Sequence, residues 1–181
     1  MSENVDANES KSQKIVTSAD LDQEFKRSLK DVAGFERLKY CYQCGTCTAD
    51  CPIARYCKDY RPRKLARMTQ LGLKNRLLEG DAIWLCAGCF TCVDHCPQGV
   101  DLAGVMRGLR NIAVKEGIIP NVFRELTDNI MKTGYAYKIP ELRLKRRAER
   151  GLPLLPKADV ESVSKLLEII GVKSRLERKR C

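Results

Sequence analysis

Eight of the ten cysteines fall into two copies of one spacing, Cys41-x2-Cys44-x2-Cys47-x3-Cys51-Pro52 and Cys86-x2-Cys89-x2-Cys92-x3-Cys96-Pro97. Thiolates are soft ligands, and three of them two residues apart can wrap three corners of one [4Fe–4S] cube. In a doubled run, the fourth cysteine of each copy is carried toward the other cube. The spacing therefore predicts two [4Fe–4S] clusters, one held by Cys41, Cys44, Cys47 and Cys96, the other by Cys86, Cys89, Cys92 and Cys51. Pro52 and Pro97 fit this crossing, because a proline fixes φ and resists continuing the preceding turn. Gly45 and Gly88 fit as well, since a residue without Cβ accepts positive φ and lets backbone N–H groups approach cluster sulfur, which helps set the potential.

Other uses of these cysteines agree less well with the pattern. Structural zinc draws two ligand pairs separated by a dozen or more residues, whereas here three ligands crowd into seven positions, twice. A disulfide framework needs an oxidising compartment, and the opening Met1-Ser-Glu-Asn-Val-Asp6 carries no apolar run resembling a secretion signal. The expectation is a cytoplasmic chain whose thiols are committed to metal. Cys57 reads as a packing residue, Cys181 as an exposed terminus without a role, and His95, the single histidine, as a surface or outer-shell neighbour of the clusters.

The 181 residues suffice for one modest domain with arms, and no window approaches the ~20 apolar residues of a membrane span. Formal charge is +10, and loading two clusters on eight thiolates brings it to about +6. Charge is unevenly distributed: residues 1–36 carry 5 basic and 8 acidic side chains, residues 37–110 carry 12 and 6, and residues 111–181 carry 16 and 9. The densest basic run, Arg143 to Arg150, reads as a solvated helix face or an edge for an acidic partner. No aromatic interleaving or nucleic-acid motif accompanies it, so a cluster-stabilised nucleic-acid-binding protein is the weaker alternative.

The elements that must position the cysteines read as helices. Leu21, Phe25, Leu29 and Val32 predict a helix over Ala19–Val32, capped by Ser18 or Asp20 and ended near Gly34. Residues 1–14 are polar and are expected to be disordered or ordered by a partner. The 34 residues from Pro52 to Leu85 contain Pro62 as a helix start, Leu65, Met68 and Leu71 on one face, and Gly72 as a stop. Asp81 to Leu85 reads as a capped turn delivering Cys86, with Trp84 shielding a cluster or filling the core. Asp101 caps a helix through Ile112 that backs the second cluster. Pro120 opens another, with Val122, Phe123, Leu126, Ile130 and Met131 facing inward and Gly134 closing it. Tyr135–Ala158, with three prolines, reads as an extended connection, and Asp159–Gly171 as a capped amphipathic helix whose stripe could bury against another protein of a complex. Three segments result: a flexible acidic arm over 1–17, a mainly α di-cluster domain over 18–135, and a basic, partner-docking connection and helix over 136–181.

Two such motifs with a helical spacer, and Ile83-Trp84-Leu85-Cys86-Ala87-Gly88-Cys89-Phe90-Thr91-Cys92 in the second, resemble the all-α ferredoxin domain of several oxidoreductase complexes. The chain lacks the C-x4-C-x2-C run that precedes this domain in the iron–sulfur proteins of succinate dehydrogenases. It also lacks the Cys-Cys-Gly (CCG) modules usually fused to it in glycolate- and glycerol-3-phosphate-oxidising relatives, though a relay for another CCG-partnered oxidoreductase remains an alternative. With Cys41-Tyr42-Gln43-Cys44-Gly45-Thr46-Cys47 after a short helical arm, it is most similar to the iron–sulfur C-subunit family of the soluble heterodisulfide reductases of methanogens. The similarity covers residues 18–135 well and the tail loosely. It implies an electron-transfer protein without an active site of its own, relaying electrons from a flavin-containing iron–sulfur partner to a CCG-bearing catalytic partner that cleaves the coenzyme M–coenzyme B disulfide. A hydrogenase or formate dehydrogenase would stand beyond them. Arg55, Arg61 and Arg63 would favour the reduced clusters by their charge, or serve only solvation and docking.

Overall fold

The structure is a computed structural model that describes residues 15–32, 34–156 and 158–177. The expected disorder of residues 1–14 and the exposure of Cys181 lie outside the described residues. Every regular element among those described is helical, so the mainly α reading holds. The chain divides into two compact units between Gly108 and Leu109.

In the first unit the Ala19–Val32 periodicity does not make one helix. A 3-10 turn over Ser18–Asp20 ends at Leu21, which is extended (φ −89°, ψ 108°), and α1 (Gln23–Ser28) begins afresh. The reason is competition for caps. The Asp20 carboxylate accepts from the Thr17 N–H at 2.8 Å, while Asp22 accepts from Phe25 N–H at 2.8 Å and starts the second helix. Phe25 and Leu29 are buried as their spacing requires.

Short helix α2 (Thr46–Ala49) lies within the first motif, α3 (Pro52–Tyr56) starts at its closing proline, and α4 (Pro62–Leu71) starts on Pro62 as expected. Gly72 closes α4 at φ 76°, and a Cβ there would come within 2.6 Å of the Asp22 carbonyl oxygen, so glycine lets the N-terminal segment dock on the end of α4. Next come α5 (Lys74–Leu78), a 3-10 turn over Asp81–Leu85, and α6 (Thr91–Asp94). Leu65, Leu77, Leu78 and Ile83 are at most 4 % exposed, and each such burial contributes about 2 kcal/mol. Helix α7 (Leu102–Lys115) opens on Asp101, which accepts from Gly104 N–H at 2.7 Å. Gly104 and Gly108 form a bare strip on α7 against which Gly34 and Phe35 lie. A Cβ on Gly34 would come 2.7 Å from the Gly104 carbonyl carbon, and one on Gly108 2.6 Å from Phe35 Cε2.

In the second unit α8 (Asn121–Thr133) ends at Gly134 as expected and packs against α10 (Val160–Ile169), whose cap Asp159 accepts from Ser162 N–H at 3.1 Å. Two expectations fail here. The stretch Tyr135–Ala158 is not extended throughout, because α9 (Glu141–Glu149) occupies its middle. Strong helix formers follow Pro140, and Arg146 and Arg147 suit the negative end of the helix dipole, so local propensity prevails between the prolines. Nor do Val122 and Phe123 face inward: they are 70 % and 40 % exposed. Helix α11 (Val172–Glu177) follows. Beyond Gly117 no described residue is buried. No helix among the described residues is long and apolar enough to cross a membrane.

Candidate metal centre

The two motifs are built alike, position for position, at an offset of 45 residues (86 − 41). Each is delivered by a 3-10 turn, Leu38–Tyr40 before Cys41 and Asp81–Leu85 before Cys86. The chain then passes through left-handed backbone on both sides of the second cysteine: Gln43 (φ 66°) and Gly45 (φ 94°) in one copy, Gly88 (φ 65°) and Phe90 (φ 63°) in the other. Each copy thus places glycine at one strained position and accepts a side chain at the other. The two glycines expected to take positive φ do so, whereas their partners Gln43 and Phe90 are invisible to a reading keyed to glycine.

Helices α2 and α6 start directly after Gly45 and Phe90 and pack on each other. Their first residues, Thr46 and Thr91, place hydroxyls 3.4 Å from the sulfurs of Cys44 and Cys89, and these contacts hold both thiols below their ordinary pKa. One residue before each fourth cysteine stand the equivalent positions Asp50 and His95, joined by a 2.7 Å contact between Oδ2 and Nδ1. His95 is exposed, in line with the surface position expected of it.

Cys51 from the first copy lines one small cavity together with Cys86, Cys89 and Cys92 of the second, closed by Tyr60 and Phe90. Burial first, then the neighbouring thiols of Cys86, Cys47, Cys89 and Cys51, push the Cys92 thiol up to about 12. On the other side, burial raises Cys47, the Thr48 hydroxyl opposes it, and the thiols of Cys41, Cys44 and Cys96 raise it further. The Tyr42 phenol is raised by desolvation, then by its hydrogen bond to Cys44 and the thiols of Cys44, Cys96 and Cys41. The Cys96 thiol thus acts on the first copy's Cys47 and Tyr42, while Cys51 lines a cavity with the second copy's thiols.

The spacer supplies contacts that spacing alone does not reveal. Gln70 on α4 donates to the Leu38 and Cys41 carbonyls at 3.0 and 3.1 Å, pinning the entry to the first motif. The Gln43 amide donates to Cys41 Sγ at 3.4 Å, and Val100 N–H to Cys96 Sγ at 3.3 Å. Of the three arginines, Arg63 lies by the first motif, its Nη1 3.4 Å from where a Gly45 Cβ would stand. Arg61 is occupied by the Ala54 and Cys57 carbonyls at 2.7 and 3.5 Å, and Arg55 is exposed. Cys57 and Trp84 are half-buried.

Among the described residues no three His, Cys, Asp or Glu side chains close on a single ion. A cube presents four separated corners, and a cavity ringed by four soft sulfur donors with no competing carboxylate suits a thiolate-held iron–sulfur group.

These features define an iron–sulfur protein, and residues 37–100 match the family described as 4Fe-4S dicluster domain. The chain is 32 % identical over 163 residues, 87 % of each chain, to the C subunit of the H2:CoB-CoM heterodisulfide,ferredoxin reductase of Methanothermobacter thermautotrophicus. It is 33 % identical over 168 residues, 86 % of this chain and 87 % of the other, to the iron-sulfur C subunit of the CoB–CoM heterodisulfide reductase of Methanopyrus kandleri. It is 33 % identical over 135 residues, 75 % and 70 % of the two chains, to a protein of Archaeoglobus profundus described as like the C subunit of heterodisulfide reductase. The chain belongs to the C-subunit family of heterodisulfide reductases, and so to the iron–sulfur components of an oxidoreductase complex.

Proposed function

We propose that this chain is a cytoplasmic electron relay holding two [4Fe–4S] clusters, Cys41, Cys44, Cys47 and Cys96 binding one and Cys86, Cys89, Cys92 and Cys51 the other. The convergence of Cys51 with Cys86, Cys89 and Cys92 on one cavity carries this reading. When bound, the clusters supply one-electron transfer, and the protein's own work is to fix them in series. The doubled left-handed turns, the α2–α6 contact and the Asp50–His95 pair hold the fourth cysteine of each copy beside the other copy.

Electrons would enter from a flavin-containing iron–sulfur partner and leave to a CCG-bearing partner where the coenzyme M–coenzyme B disulfide is reduced. The chain itself would make no contact with that disulfide. The second unit would serve docking: it is basic, has no buried described residue past Gly117, and exposes Leu154 (90 %), Ile169 (80 %) and Leu166 (60 %). Apolar surface of this kind is ordinarily covered by another protein.

The test is anaerobic purification with iron counting and electron paramagnetic resonance (EPR). About eight irons per chain are expected, and Cys51→Ser and Cys89→Ser should perturb the same cluster signal. Effects on different signals would overturn the crossed assignment, and an intact complex without a CCG-bearing protein would remove the disulfide-reducing partner.

A further inference from the structure

The doubled motif makes the two sites look equivalent, yet Tyr60 belongs to only one of them. It is 2 % exposed and lines the cavity of Cys51, Cys86, Cys89 and Cys92. Cys86 lines the same cavity, and burial first, then the Cys86 thiol beside it, holds the phenol well above its ordinary pKa. Counting 45 residues on from Tyr60 reaches Val105, which has no polar atom in its side chain, so the sequence repeat supplies no second phenol. The sister site has the Gln43 amide, the Val100 N–H, the Thr46 and Thr48 hydroxyls and the phenol of Tyr42, which unlike Tyr60 is 60 % exposed and open to water.

The chain fixes Tyr60 from both sides. Its N–H donates to the Cys57 carbonyl at 3.3 Å, the next residue, Arg61, ties back to the Ala54 and Cys57 carbonyls, and Pro62 sets the backbone that follows. A buried phenol held this way cannot turn to water and must spend its one donor inside the cavity.

We propose that Tyr60 is the potential-setting residue of the Cys51–Cys86–Cys89–Cys92 site, its O–H···S bond to Cys86 raising that cluster's reduction potential and leaving the other's unchanged. Reduction by one electron adds negative charge to the sulfurs, so a neutral donor aimed at a ligand sulfur strengthens in the reduced state. No proton is transferred; the electron comes from the chemical titrant. The inference rests on the crossed ligand assignment.

The experiment is an anaerobic redox titration of the full-length chain with dithionite, followed by EPR, with the relevant signal identified as the one perturbed by Cys89→Ser. Tyr60→Phe should retain iron and lower that cluster's reduction equilibrium constant by roughly tenfold, a shift of about 59 mV for one electron. The other signal should stay in place. Should Tyr60→Phe not load iron, 3-fluorotyrosine at position 60, a stronger donor of nearly the same shape, should move the same midpoint upward. An unmoved midpoint, or equal movement of both, overturns the assignment. If Cys51→Ser and Cys89→Ser mark different signals, the crossed ligation fails instead, so the two failures are distinguishable.

Discussion

The first unit buries Leu77, Leu78, Ile83 and Met106 to 1 % exposure or less, while the second leaves every described residue past Gly117 at least partly exposed. Both are helical, and both have amphipathic elements with ordinary caps and glycine stops. The difference is what lies opposite the apolar faces. In the first unit α4, α5, the start of α7 and the turns before each motif enclose one core, on which the cysteine loops are mounted. In the second, α8 and α10 meet along one stripe while Leu142, Leu154, Ile169 and Ile170 face outward. Helical patterning thus fixes which side of an element is apolar without fixing what covers it.

Removing the metal should sharpen this contrast most. Anaerobic chelation of iron should speed amide exchange over residues 41–51 and 86–96 by roughly a thousandfold, because thiolates that lose their shared ligand also lose the constraint on their turns. Residues 121–133 and 160–169 should exchange as before. Equal acceleration everywhere would show that the units depend on the clusters alike.

A smaller effect separates the two kinds of leucine-rich surface. Leu77→Ala should lower the unfolding free energy of the holo chain by about 3 kcal/mol in denaturant titration. Ile169→Ala, 80 % exposed in the native chain, should change it by less than about 0.5 kcal/mol. Matching losses would place Ile169 in a core and break the comparison.

The glycines give the finest test. Gly34→Ala meets both positive φ (97°) and the backbone of α7 and should destabilise by about 3 kcal/mol. Gly151→Ala, at φ 63° with open space around it, should cost only the backbone strain, about 1 kcal/mol. Thermal unfolding of the two variants reads the difference.

Much of both units is legible in the sequence. The doubled cysteine run, Pro62 at the start of α4, Gly72 and Gly134 at helix ends, and Asp101 and Asp159 as caps are local signals, and local interactions suffice to place them. The start of the N-terminal helix is not legible, because Ser18, Asp20 and Asp22 all suit a cap, and only the contacts of Asp20 with Thr17 and Arg76 leave Asp22 to start α1. Helix α9 is hidden by the prolines around it, since a proline marks a helix border as readily as an extended segment. Thr46 and Thr91 can be found by laying one motif on the other. Tyr60 and Gln70 cannot, because nothing in the spacing of a lone tyrosine or glutamine distinguishes it.

The sequence by itself offered the candidate donors, since soft thiolates at these intervals suit an iron–sulfur cube, and it determined the helical class through periodicity and caps. Tertiary structure alone decided that Cys51 shares its cavity with the second motif, that Asp50 meets His95, and that a buried phenol serves one site of an otherwise repeated pair. Those facts depend on contacts between residues far apart in the chain, which close only when the apolar faces of the spacer helices find a common core.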